Sequence, residues 1–214
     1  MNNIPSVTKN LLIINALFYA ATFVAEQRGI DLTGLLGLHF FGISEFHIWQ
    51  PLTYMFMHGS FSHIFFNMFA LWMFGRILEY VWGSRRFLIY YLICGVGAGL
   101  IQEAVQFVSF MNSVQSGILD YRIFAPTVGA SGAIYGILLA FAMLFPNEKM
   151  FIFPLPMPIK AKYFIAFFFV LELFEGFAAS DNVAHFAHLG GMIFGLFLII
   201  YWKRKGHGRS FPGF

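Results

Sequence analysis

Charged residues and cysteine are scarce in this sequence. Asp, Glu, Lys and Arg make up only 11% of its 214 residues, whereas soluble domains carry about 25%. Cys94 is the single cysteine, so no disulfide framework can stabilise the chain. The formal net charge is +3, but the basic residues lie in short clusters between apolar runs. They do not form the one-sided basic face of a nucleic-acid-binding protein. We therefore predict no nucleic-acid partner.

Hydrophobic residues fill the chain instead. They make up 59% of it, with 30 Phe, and the mean hydropathy is +0.73, which indicates an integral membrane protein. A transmembrane helix takes about 17–25 residues. Six apolar runs of this length predict helices at about 11–27, 61–80, 88–110, 128–146, 163–180 and 184–202. Asp181 or Asn182 is a candidate N-cap for the sixth. We expect one domain over residues 1–214, with the first helix retained and not removed as a signal peptide.

The positions of Lys and Arg predict the orientation of these helices. With the N-terminus inside, Arg28 and Arg122 lie on the outer side and Arg76 lies within the second helix. The other ten lie on the inner side: Lys9, Arg85, Arg86, Lys149, Lys160, Lys162, Lys203, Arg204, Lys205 and Arg209. Both termini are therefore predicted to be cytoplasmic. The outer connection, about residues 28–60, contains the aromatic stretch HIWQPLTYMFMH, and we expect it to lie in the membrane interface.

Polar side chains in three of the predicted helices lie at a similar depth below the outer surface. Ser131 lies near the start of the fourth helix, and His188 lies near the start of the sixth. His63 and Asn67 lie in the first turns of the second helix. A helix rises roughly 1.5 Å per residue, so all four are predicted to lie a few ångströms below the outer surface. Because polar groups inside membrane helices are candidates for a functional site, this coincidence predicts an active site there.

Glycine spacing predicts that the fourth and sixth helices pack closely. Gly132 with Gly136, and Gly191 with Gly195, form two small-xxx-small patterns, which let helix backbones approach each other in a membrane. His188 shares a face with Gly191 and Gly195, because positions i, i+3 and i+7 lie together on a helix. We therefore expect His188 to point toward the fourth helix.

This placement predicts a catalytic pair, with Ser131 as nucleophile and His188 as its general base. Tyr135, one turn after Ser131, offers a ring on which the imidazole can rest. Acyl transfer also needs hydrogen-bond donors for the oxyanion. The backbone N–H of Ser131 at a helix N-terminus and the side chains of Asn67 and His63 can supply them. Since no Asp obviously orients His188, we predict a dyad and not a triad.

Three motifs together resemble the rhomboid intramembrane serine proteases: MHGSFSHIFFNMF at 57–69, GASGAIYG at 129–136 and AHLGGMIFG at 187–195. The resemblance implies an all-α membrane protein, a six-transmembrane-helix rhomboid bundle with a long membrane-associated outer loop between helices 1 and 2. It implies Ser131 and His188 as catalytic residues, and Asn67, His63 and the Ser131 N–H as the oxyanion hole. The implied supporting residues are Tyr135, Gly129, Gly132, Gly191, Gly195 and His58. Glu79 with Gly83 matches the family's end of the second helix.

The resemblance also implies the substrates and the location. The expected activity is a serine endopeptidase that cleaves single-span membrane proteins near the outer face through an acyl-enzyme, without a cofactor. Substrates are expected to carry Gly, Pro or polar residues there, because a helix must unwind before it can be cut. Lateral entry between the second and fifth helices is implied by the family alone. The short chain without an appended soluble domain favours a bacterial inner membrane, and the oligomeric state stays open.

Several residues leave alternatives open. Trp49-Gln50 stands where the family commonly has Trp-Arg, which puts the anchoring of the outer loop in question. His185 is either a helix-start residue or a contact for water or substrate; the glycine spacing assigns the base to His188. Glu172 and Glu175 are costly in a membrane, so we expect them to meet water or to pair with a neighbour.

A metal site is the main rival interpretation. Three or four imidazoles can bind zinc, and four lie near one predicted surface: His58, His63, His185 and His188. Against a metal, the sequence has no HExxH motif, and a metal explains neither Asn67 nor the glycine-flanked Ser131. We therefore predict no metal. A rhomboid-like protein that binds membrane helices without cutting them is a third class, which the presence of both Ser131 and His188 disfavours.

Overall fold

The computed structural model describes residues 4–118, 121–151, 157–178 and 184–205. The long helices in these ranges are numbered in chain order: α1 Ser6–Glu26, α2 Phe61–Trp82, α3 Ser84–Ser116, α4 Ser131–Leu144, α5 Ala161–Ala178 and α6 His185–Lys205. The shorter elements are helices Leu32–Leu36 and Gln50–Thr53, 3₁₀ turns Tyr54–Phe56 and Tyr121–Phe124, and the antiparallel strands β1 Lys149–Met150 and β2 Ile159–Lys160. Asp181, Asn182 and Arg209 lie outside the described residues.

Helix length and composition support an integral membrane protein. Within the described ranges, α1, α2, α3 and α6 are long and apolar enough to span a membrane. Helix α4 is apolar but has only 14 residues, and α5 has 18 residues that include three charged ones, Lys162, Glu172 and Glu175. The predicted start of the fourth helix at 128 is wrong: α4 begins at Ser131. Gly129 has φ +129°, which is not a helical backbone conformation.

Helix α1 begins before the apolar run that predicted it, and Glu79 near the end of α2 explains why. The first N–H groups of a helix have no partner within the helix. The Glu79 carboxylate accepts hydrogen bonds from the backbone N–H groups of Val7, at 2.9 Å, and Thr8, at 2.7 Å. It also accepts from the hydroxyls of Thr8 and Ser84, at 2.7 and 2.6 Å. One buried carboxylate therefore joins the start of α1 to the α2–α3 turn at Gly83.

Helices α3, α4 and α6 interlock through glycines, and the predicted contact between α4 and α6 is confirmed. A Cβ on Gly191 would lie 1.8 Å from the carbonyl oxygen of Gly132. A Cβ on Gly195 would lie 2.3 Å from the Tyr90 hydroxyl of α3, and that hydroxyl donates to the Gly136 carbonyl at 2.8 Å. Only residues without a side chain let these backbones approach so closely.

The connection between α1 and α2 is anchored by Gln50, whose side chain is fully buried. Its Oε1 accepts a hydrogen bond from the His39 N–H at 3.2 Å, and its Nε2 donates to the Glu45 carbonyl at 2.9 Å. The same connection pairs Leu38 with Thr127, ahead of α4, through two backbone hydrogen bonds of 2.9 and 2.8 Å. An amide that both donates and accepts therefore fixes this loop beside the start of α4.

Candidate active site

Ser131 and His188 are in direct contact. Ser131 is the first residue of α4, and its Oγ lies 2.8 Å from His188 Nε2. The ring of Tyr135 stacks on the imidazole, with centroids 4.3 Å apart and an interplanar angle of 7°. The glycine contact between α4 and α6 sets this geometry, because His188 lies one turn before Gly191 on the same face. A serine hydroxyl hydrogen-bonded to an imidazole is the arrangement of an activated nucleophile.

Gly129 shapes the backbone just before Ser131. Its φ of +129° is an allowed backbone conformation for glycine but a strained one for other residues. A Cβ at this position would also lie 2.7 Å from His63 Nε2. The Gly129 N–H donates to the Tyr54 carbonyl at 2.9 Å. The chain therefore enters α4 in a fixed path that passes directly beside the His63 ring.

The start of α2 brings His63 and Asn67 to the same region. The Ser60 hydroxyl accepts from the His63 N–H at 3.1 Å and caps the helix. The Asn67 side-chain amide donates to the His63 carbonyl at 3.0 Å. His58, in the loop before α2, is 3% exposed, and its ring meets the His63 ring edge to face at 5.0 Å. Burial first, and the His63 charge second, lower the pKa of His58 to about 4, so His58 is neutral at pH 7.

A cavity of about 860 Å³ joins these residues. Ser131, His188, His63 and Asn67 all line it. Its other walls include Gln102, Gln106 and Ser109 of α3 and the aromatic residues Phe66 of α2 and Phe164 and Phe168 of α5. The polar residues predicted on separate helices therefore share one space, with an apolar wall between α2 and α5.

Sequence reasoning missed the partner of the second imidazole nitrogen. His188 Nδ1 lies 2.9 Å from Oε2 of Glu172, a buried residue in α5 that is 5% exposed. The sequence predicts a dyad because no Asp obviously orients His188; the structure places a Glu carboxylate beside the second ring nitrogen. A carboxyl group in an apolar helix was the available signal, and of the two outcomes expected for Glu172, pairing with a neighbour is the one observed.

His185 is buried beside the same carboxylate and is the first residue of α6. Its Nδ1 lies 2.8 Å from Oε2 of Glu172 and 3.6 Å from Oε2 of Glu175. Within the described residues, Glu172, His185 and His188 form a group whose possible ligand atoms lie within 4.8 Å of one another. Of the four histidines considered as a metal site, only His185 and His188 belong to this group, and His58 and His63 do not.

The fold and the site define a helical membrane protein with a serine–histidine pair on the wall of a cavity. A family model described as the Rhomboid domain matches residues 45–205. The chain belongs to the rhomboid family.

Three curated relatives have sequences similar to this chain. Rhomboid protease GluP of Bacillus subtilis (strain 168) is 33% identical over 203 residues, 92% of this chain and 34% of that protein. Rhomboid protease AarA of Providencia stuartii is 29% identical over 213 residues, 94% of this chain and 73% of that protein. The human presenilin-associated rhomboid-like protein, mitochondrial, is 30% identical over 156 residues, 70% of this chain and 38% of that protein. The chain thus spans little more than a third of the length of GluP and of the human protein.

Proposed function

We propose that this protein is a serine-type intramembrane endopeptidase that cleaves transmembrane helices of membrane proteins near the outer face. Membership of the rhomboid family and the similarity to two proteins named rhomboid proteases support this activity. The observation that carries the proposal is the 2.8 Å contact between Ser131 Oγ and His188 Nε2 on a cavity wall. That contact supplies a nucleophile and its base in a space large enough for a peptide segment and water.

The reaction proceeds in two halves. His188 Nε2 takes the proton of the Ser131 hydroxyl while Oγ attacks the peptide carbonyl carbon, which gives a tetrahedral intermediate. The carbon–nitrogen bond then breaks, the imidazolium gives its proton to the leaving amine, and an ester to Ser131 remains. Water attacks this acyl-enzyme with His188 again as base. The ester bond breaks, and the serine hydroxyl is restored.

The oxyanion is stabilised by donors from two helices. The Ser131 N–H points out of the N-terminus of α4, where the helix dipole favours negative charge. The Asn67 amide has two N–H groups, and its bond to the His63 carbonyl uses one of them. The other N–H and the His63 ring complete the oxyanion hole. Loss of one such donor costs about 10²–10³ in rate.

In the membrane, all six helices form one rhomboid domain with both termini in the cytoplasm. The basic residues Arg85, Arg86 and Lys203–Lys205 support this orientation, because they lie at the ends of helices away from Ser131 and His188. The connection between α1 and α2 lies in the outer membrane interface, where Ile48, 88% exposed, and Trp49, 44% exposed, contact lipid. The location that fits best is a bacterial inner membrane.

The substrates are single-span membrane proteins. A transmembrane helix hides its carbonyls in internal hydrogen bonds, so it has to unwind before Ser131 reaches a peptide bond. Helix-weakening Gly, Pro or polar residues near the outer boundary make a segment cleavable. The aromatic side chains of Phe66 in α2 and Phe168 in α5 both line the cavity, which supports lateral entry between these helices. No cofactor takes part.

Cleavage of a single-span reporter with a Gly-Pro segment at its outer boundary, in proteoliposomes, tests this function. We expect the wild type and the control Ser109→Ala, which removes another cavity serine, to cut. Ser131→Ala and His188→Ala are expected to give no product, and a fluorophosphonate is expected to label the wild type but not Ser131→Ala. Cleavage by Ser131→Ala, or loss of wild-type cleavage on adding a chelator, would contradict the serine mechanism and favour a metal at Glu172, His185 and His188.

A further inference from the structure

Glu172 is a carboxylate in the apolar interior of α5, and its partners compensate for its burial. A buried charge is costly unless it is hydrogen-bonded, and Glu172 is 5% exposed. Its Oε1 accepts a hydrogen bond from the Tyr135 hydroxyl. Its Oε2 accepts from Nδ1 of both His185, at 2.8 Å, and His188, at 2.9 Å. Three side chains from α4 and α6 thus converge on one group of α5.

This arrangement fixes the tautomer of His188. An ionised carboxylate only accepts hydrogen bonds, so the proton of the neutral imidazole lies on Nδ1. The lone pair is then on Nε2, which faces Ser131 Oγ at 2.8 Å. In the other tautomer, Nε2 would carry the proton and could not take one from Ser131. The carboxylate therefore selects the form of His188 that acts as a base.

We propose that Glu172 is a positioning residue for the proposed protease reaction, fixing the tautomer and orientation of His188 and stabilising the imidazolium formed when Ser131 gives up its proton. The inference rests on the proposed function and replaces the predicted dyad by a Ser131–His188–Glu172 array. His185 and the Tyr135 hydroxyl orient the carboxylate.

Charge supports this assignment. When the proton moves to His188, a positive ring forms next to the Glu172 carboxylate, and an ion pair in a poorly solvated site is stronger than one in water. Glu175, at 3.6 Å from His185, is 38% exposed at its side chain, compared with 6% for Glu172, so solvent weakens its influence. Glu172 is the carboxylate that meets the imidazole directly.

The comparison of Glu172→Gln with Glu172→Asp and the control Glu175→Gln tests the proposal. A Gln side chain can donate to Nδ1 and favour the wrong tautomer. We expect Glu172→Gln to lower kcat by about 100-fold or more while KM stays within about threefold. Glu172→Asp keeps the carboxylate, so its kcat is expected to be at least about tenfold higher than that of Glu172→Gln. Glu175→Gln is expected to stay within about threefold of the wild type.

Thermal unfolding and reaction with a fluorophosphonate separate chemistry from folding. We expect the unfolding midpoint of Glu172→Gln to stay within about 4 °C of the wild type, while labelling of Ser131 slows in parallel with kcat. Three results would overturn the positioning role of Glu172. Glu172→Gln could keep the wild-type kcat, it could change KM alone, or it could lose activity only in proportion to the loss of folded protein. An inactive wild type would instead contradict the proposed function, so the two failures are distinguishable.

Discussion

Two buried carboxylates, Glu79 and Glu172, show how similar burial serves different purposes. Glu79 is 2% exposed and Glu172 is 5% exposed, and each accepts several hydrogen bonds. The donors to Glu79 are backbone N–H groups and hydroxyls at the start of α1 and α3. The donors to Glu172 are a phenol and two imidazoles beside the cavity.

The donors decide what each carboxylate can do. Backbone amides and aliphatic hydroxyls keep their protons near neutral pH, so the Glu79 contacts hold helices together without taking part in proton transfer. An imidazole gains and loses a proton in that range, so the charge next to Glu172 can change during a reaction. A substitution at Glu79 should therefore reduce stability, and one at Glu172 should reduce activity.

The largest effect is expected at the close backbone contact between α4 and α6, the helices that carry Ser131 and His188. Gly191→Ala would place a Cβ 1.8 Å from the Gly132 carbonyl oxygen, a distance that forces α4 and α6 apart. We expect both folded protein and cleavage to be lost, as measured by monodisperse yield in detergent and by reporter cleavage. Gly59→Ala is the control, because a Cβ there meets nothing within 4 Å. A Gly191→Ala enzyme with wild-type yield and rate would contradict the close α4–α6 contact.

Glu79→Ala is expected to have the next largest effect, and on stability alone. It removes the acceptor of two backbone N–H groups and two hydroxyls, which should lower the free energy of unfolding by about 4 kcal/mol. The kcat of the remaining folded enzyme, counted by fluorophosphonate labelling, should match the wild type. Glu148→Ala, at an exposed position, controls for loss of charge. Loss of kcat in the folded fraction would place Glu79 in the same class as Glu172.

Gln50 is an uncharged buried side chain that holds the α1–α2 connection, and its substitution tests whether a neutral group stabilises the fold as the Glu79 carboxylate does. Gln50→Leu keeps most of the volume but leaves the His39 N–H and the Glu45 carbonyl without their partner. We expect the free energy of unfolding to fall by about 2 kcal/mol with little change in kcat, measured by thermal unfolding and reporter cleavage. Gln27→Leu, on the exposed end of α1, should have no effect. An unchanged stability in Gln50→Leu would mean that the loop is held by its apolar contacts.

The parts of the site that the sequence predicted are those with local spacing. Ser131 with Tyr135, and His188 with Gly191, lie one turn apart on single helices, so their common faces follow from helix periodicity. The role of Glu172 depends on how α5 is rotated. That helix is apolar almost all round, with the run FIAFFFVLELF, so no periodic pattern marks the face that meets α6.

The fold shows the same difference between features set by local sequence and features set by contacts distant in sequence. The six apolar runs predicted a helix each, but the ends of the helices depend on residues far away in sequence. The start of α1 depends on Glu79, which lies 71 residues after Thr8. The anchoring of the outer loop depends on a side-chain amide, Gln50, that contacts backbone groups up to 15 residues away. Contacts of this kind cannot be read from composition or period.

The smallest expected effect comes from Tyr135→Phe, and it tests how much of the Glu172 contact network is needed. Phe keeps the ring that stacks on His188 but removes the hydroxyl that donates to Glu172 Oε1. The carboxylate keeps both imidazole N–H donors, so we expect a loss of about 1 kcal/mol of transition-state stabilisation, roughly fivefold in kcat. Tyr163→Phe, an exposed position at the far end of α5, is the control in the same cleavage assay. A drop as large as that expected for Glu172→Gln would show that the Tyr135 hydrogen bond to Oε1 is needed to hold the carboxylate against His188.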